Sequence, residues 1–121
     1  MHPLSQILVA IVAAEHLIIL YMEMFAWETL GRKVFRGALS KELFTPTKVM
    51  AANQGLYNGF LAGGLIWSLF IQDAVWQQHV ATFFLCCVVV AGLYGGFSAS
   101  KRIIITQALP AAVALCVLLL A

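Results

Sequence analysis

The chain has 121 residues, 63% of them hydrophobic and only 10% charged, with a formal charge of +2 and a mean hydropathy of +0.96. A soluble domain carries roughly 25% charged residues, so this shortfall excludes an ordinary soluble enzyme, a disordered tail and a nucleic-acid binder. The length allows a single domain, residues 1–121, and the apolar excess makes lipid the expected solvent.

Crossing a hydrocarbon core of roughly 30 Å takes about 20 helical residues. The first such stretch is about 4–27. It lacks a basic leader and is longer than the apolar part of a signal peptide, so it reads as a retained helix. It carries Glu15, His16 and Glu23. A charge in lipid costs about 2.5–3.5 kcal/mol on insertion scales, so these side chains are expected to face protein. At 100° per residue His16 and Glu23 fall within about 20° of each other. Trp27 continues their stripe and Glu15 flanks it.

The connection that follows holds Arg32, Lys33, Arg36, Lys41 and Lys48, interleaved with Leu39, Leu43 and Phe44. Two readings stay open: an amphipathic segment lying on anionic lipid, or a solvated basic loop that only fixes orientation. The second span, about 49–71, opens at Thr45-Pro46-Thr47, where a threonine is a natural N-cap and proline suits a first turn. Asn53, Gln54, Tyr57 and Asn58 occupy an arc of about 140° on it. Gly55, Gly59 and Gly63 fall on another face in a doubled GxxxG spacing, and Gly92 and Gly96 repeat that spacing in the third span. Such faces serve packing within one bundle or self-association.

The second connection, 72–78, has no Lys or Arg. The third span is about 79–97, and Lys101 and Arg102 precede the fourth, about 103–120, in which Pro110 favours a kink. Cys86, Cys87 and Cys116 lie in apolar runs without CxxC spacing, so they are expected to pack as small hydrophobes. His2 and His79 are expected at the outer boundary, and Trp27, Trp67 and Trp76 are candidates for interfacial anchors. Every basic side chain lies in the first or third connection. The positive-inside rule makes that side cytoplasmic. The expected fold is all-α, a four-helix transmembrane bundle of the inner membrane with both termini on the non-cytoplasmic side.

Helix one runs inward and helix two outward, so their polar residues share the cytoplasmic half, whereas the outer half offers little beyond Ser5, Gln6, Gln72 and Asp73. A pocket open to the cytoplasmic side is the expectation. Glu15, His16 and Glu23 are its candidate catalytic residues. A desolvated carboxyl can hold or pass a proton near neutrality, and an imidazole beside it can act as acid or base. Asn53, Gln54, Tyr57 and Asn58 are its candidate ligand-binding residues, suited to orienting a polar head group or an oxyanion. No EXXH or HEXXH spacing supports a metal, and the sequence leaves any cofactor unidentified. Three functions fit: binding and transformation of a lipophilic small molecule, proton-coupled transport through Glu15, and a structural or partner subunit whose polar groups merely pair. A homo-oligomer is expected, because one small bundle leaves little room for a large ligand.

The run from Asn53 to Gly63, with Glu15-His16 and Glu23 upstream, resembles over nearly the whole chain a family of small bacterial four-span membrane proteins classed as a domain of unknown function. That resemblance implies four spans and an inner-membrane location, and no activity. The layout is also similar to the membrane-associated eicosanoid and glutathione metabolism superfamily, which implies a trimer with a thiol-tripeptide site in the cytoplasmic half. Only Asn53 corresponds there, and the arginines and glutamate of that family's second helix are missing. Glu15 after Ala13-Ala14 resembles the helix-one glutamate of small multidrug resistance transporters, over one helix only.

Overall fold

The structure, a computed structural model, describes residues 1–121 and is all-α, without strands. Four long helices carry it: α1 (Pro3–Phe25), α2 (Lys48–Phe70), α3 (Ala74–Ser98) and α4 (Ile104–Leu120). α1 begins where His2 Nδ1 accepts the Leu4 N–H at 3.0 Å, so this histidine satisfies an orphan donor of the first turn. α3 begins at Ala74, five positions before the expected 79. Asp73 accepts the Trp76 N–H at 3.0 Å and caps it, which leaves only Ile71, Gln72 and Asp73 between α2 and α3.

The threonines before α2 do not cap it as expected. The Thr45 hydroxyl donates to Glu28 Oε2 at 2.8 Å, and the Thr47 hydroxyl donates back to the Leu43 carbonyl at 2.7 Å. α4 opens with a π-helical stretch, Ile104–Ala108, directly ahead of Leu109-Pro110. Proline has no N–H and its ring crowds the carbonyl four residues back, and a widened turn relieves both problems.

The backbone divides into two compact units. The first comprises Met1–Ala14 and Leu61–Ala121. Its core is built from Val9, Val12, Leu65, Leu85, Val88 and Leu118 with small residues between them. Gly92 lets α3 and α4 meet, since a Cβ there would lie 2.7 Å from the Ala108 backbone nitrogen. The second unit, Glu15–Phe60, buries Met22, Ala26, Phe44 and Ala51 together with His16 and Glu23.

Large apolar side chains also remain uncovered along every long helix: Phe25 is 72% exposed, Phe70 78%, Phe97 81% and Leu120 87%. α1 and α3 are long and apolar enough to cross a membrane, and α4 is a shorter apolar helix.

Candidate functional site

All seven residues singled out in the sequence fall in the second unit, on the C-terminal half of α1 and the N-terminal half of α2. Glycines decide which of them meet. A Cβ on Gly55 would lie 2.8 Å from Met24 Cγ and 3.0 Å from Glu23 Cβ, and one on Gly59 would lie 2.6 Å from Leu20 Cδ1. The absent side chains thus let α2 close onto α1. Asn58 sits about 60° round the helix from Gly55, so it borders this contact. Its Nδ2 donates to Glu23 Oε1 at 2.6 Å and to the Gln54 carbonyl at 3.2 Å. Glu23 is only 4% exposed.

His16 is buried, and Glu15 is half-buried with its Oε1 enclosed and without a hydrogen-bond partner. Asn53 and Tyr57 lie about 160° from Gly55 and are exposed. Gln54 is exposed as well, and the Tyr57 ring stands edge-on to Phe60 at 5.6 Å. The structure therefore brings Glu23 and Asn58 together and turns Asn53, Gln54 and Tyr57 outward. The 140° arc is wider than the face the glycines allow to dock. No group of three His, Cys, Asp or Glu side chains gathers that could hold a metal ion, and the cysteines are free thiols.

Residues 26–47 hold a second constellation that sequence reasoning did not assemble. After α1 the chain makes a π-helical turn, Trp27–Gly31, and a Cβ on Gly31 would lie 2.8 Å from the Trp27 ring. Trp27 packs between Phe35 (5.4 Å between centroids) and Phe44 (5.2 Å), and its Nε1 donates to Thr47 at 3.0 Å. This tryptophan is therefore part of a folded cap. The connection itself is a series of tight turns, with Gly37 at φ 86°. Arg32 donates from Nη1 to the Lys41 carbonyl at 2.8 Å, and its guanidinium lies over the Phe44 ring at 5.2 Å. The signal was present in the spacing of Trp27, Phe35 and Phe44, aromatic residues too costly to leave in a solvated loop.

At the edge of this cap Glu28 accepts from Thr45 and pairs with Lys48 Nζ at 3.4 Å. The Thr45 hydrogen bond, then the Lys48 contact and the nearby Arg32 charge, hold its carboxyl below the ordinary 4.5. Two clefts stand out. One of about 520 Å³ is lined by the turns from Arg32 to Lys41 and by Phe44. The other, about 330 Å³, is apolar, lined by Trp67, Trp76, His79, Val80, Phe83 and Phe84. Neither is lined by Glu15, Glu23 or Asn58.

Comparison with known proteins agrees with the resemblance drawn from the sequence and assigns no activity. The model of a protein family of unknown function, DUF1304, matches residues 10–119. The chain is 33% identical over 105 residues to the uncharacterized protein YpaA of Lactococcus lactis subsp. lactis (strain IL1403), covering 86% of this chain and 87% of that one. No solved structure matches it. With its model aligned to all but the first nine and last two residues, the chain belongs to the DUF1304 family.

Proposed function

We propose that this chain is a four-span inner-membrane protein that binds a lipophilic small molecule through a hydrogen-bonding group set between α1 and α2. The uncovered apolar side chains along all four long helices support a lipid surround, because a water-exposed surface of that kind would aggregate. In this reading α2 and α4 also span, and the basic residues of the first and third connections face the cytoplasm.

One observation carries the ligand: Glu15 Oε1 is enclosed and lacks a donor, on the same helix as the buried Glu23–Asn58 pair. An enclosed carboxyl oxygen without a partner is costly, and a hydroxyl or amine of an incoming molecule would satisfy it. Glu15 is the contact residue in this proposal, and the Glu23–Asn58 pair lies about two helical turns further along α1. In this reading His16, the buried imidazole next along α1, supplies an acid or base.

Dicyclohexylcarbodiimide, a lipophilic reagent that attacks carboxyls in apolar surroundings, tests this directly. Peptide mapping of the treated protein in native membranes should find the adduct on Glu15, and Glu15→Leu should abolish it while helicity is retained. A water-soluble carbodiimide should label Glu28, Glu42 and Asp73 instead. Glu15 unmodified by the lipophilic reagent, together with a Glu15→Leu protein more stable than wild type, would show a carboxylate that is merely tolerated in the packing.

A further inference from the structure

The cleft over the first connection is cationic by construction. Arg32, Lys33, Arg36 and Lys41 line its roughly 520 Å³, Ser40 adds a hydroxyl, and no carboxylate lines it. Neither acidic residue of the segment lines it: Glu28, near Arg32, is committed to Thr45 and Lys48, and Glu42 is outside the lining. Four like charges around one concavity repel each other, and an arrangement of this kind is relieved when an anion enters.

The site is also held in shape. Arg32 is pinned by its bond to the Lys41 carbonyl, by Thr45 at 3.4 Å and by the Phe44 face. Phe44, only 1% exposed, provides a rigid floor fixed by Trp27. Gly37, in the left-handed region, makes the turn between Arg36 and Leu39, whose backbones bridge. A planar guanidinium with a preset direction and flanking ammonium groups suits the several oxygens of a phosphate.

We propose that this cleft binds a phosphate group, carried either by an anionic lipid at the membrane surface or by a water-soluble phosphate compound. Its residues are separate from the Glu15 and Glu23–Asn58 site, so either assignment can fail without the other.

The test uses the full chain in nanodiscs of phosphatidylcholine with one-fifth phosphatidylglycerol, read by native mass spectrometry. Two charge-matched variants are compared, Arg36→Gln/Lys41→Gln in the cleft and Lys101→Gln/Arg102→Gln outside it. Retained phosphatidylglycerol should fall at least five-fold in the first and stay near wild type in the second. Glycerol 3-phosphate is titrated in parallel in pure phosphatidylcholine, with Trp27 fluorescence as the signal in chains whose Trp67 and Trp76 are replaced by Phe. Cleft-dependent retention of lipid assigns the phosphate to the bilayer. Saturable binding of glycerol 3-phosphate without lipid retention, lost in the cleft variant, assigns it to solution. Equal losses of lipid in both variants, or binding of neither probe, would overturn the site.

Discussion

A buried carboxylate depends on its donor, and Glu23 has one in Asn58 at 2.6 Å. Interhelical hydrogen bonds in membrane proteins average only about 0.6 kcal/mol, but a stranded buried acceptor costs more, about 1–3 kcal/mol. Asn58→Ala should therefore destabilise the protein by about 1–3 kcal/mol in an unfolding titration with dodecyl sulfate. Glu23→Gln keeps an acceptor oxygen and should cost less than about 1 kcal/mol. The double change Glu23→Leu/Asn58→Leu removes both polar groups and should recover most of the loss. Equal costs for all three would mean that shape, not polarity, holds this contact. Glu28 gives a second prediction at this scale. Its carboxyl is held below 4.5, so the folded protein takes up its proton less readily than the unfolded chain. Its contribution is complete above that ordinary value and is lost as pH falls through the folded value. With Trp67 and Trp76 replaced by Phe, Trp27 fluorescence should change on acidification below pH 4.5, and Glu28→Gln should flatten that response.

Between helices, the glycines rank themselves by what a methyl group would strike. At Gly55 a Cβ meets Glu23 Cβ at 3.0 Å and the Leu20 carbonyl oxygen at 3.2 Å, atoms that cannot move alone. At Gly59 it meets the flexible end of Leu20, and at Gly63 nothing within 4 Å. Gly55→Ala should cost roughly 1–3 kcal/mol by overpacking, with Gly59→Ala costing less. Gly63→Ala should be neutral or stabilise by up to about 1 kcal/mol through helix propensity. A Gly63→Ala protein that instead changes its mass in native mass spectrometry would place a second copy on that face. The glycine spacing was plain in the sequence. What it packed against was not, because a period of four identifies a face without naming its partner. The same limit explains Asn53 and Tyr57: their shared arc with Asn58 was legible, but which edge of the arc docks depended on Gly55 and Gly59. The helix α3 extends ahead of the expected span for a different reason. Trp76, Gln77 and Gln78 look like loop residues until Asp73 is seen as their cap.

At the scale of the molecule, hydropathy and charge give different amounts of information. By length and apolarity two helices qualify as spans, α1 and α3. α2 carries Asn53, Gln54 and Asn58, whose amides dilute its apolar content, and α4 is shorter. Composition along a helix cannot tell that one amide is already bonded to a carboxylate. Exposure supports the proposed spans, since Leu56, Phe60, Trp67 and Phe70 of α2 and Ile105, Leu109, Val113 and Leu119 of α4 are uncovered in the fold. If α2 and α4 span as proposed, the termini share one side, and the basic connections occupy the other. Two spans through α1 and α3 alone would also put both ends on one side, so the termini do not decide the number. The α2–α3 turn does. It lies outside the membrane, with the termini, only when α2 crosses. Alkaline phosphatase, active only beyond the inner membrane, should be active when fused at Ala121 or inserted after Gln72, and inactive when inserted after Ser40. Activity after Ser40 would reverse the orientation, and inactivity after Gln72 would leave α2 on the cytoplasmic side. Changing Arg32, Lys33, Arg36, Lys41 and Lys48 to Gln removes five of the seven basic side chains. That variant should insert in both orientations, giving intermediate activity at all three positions.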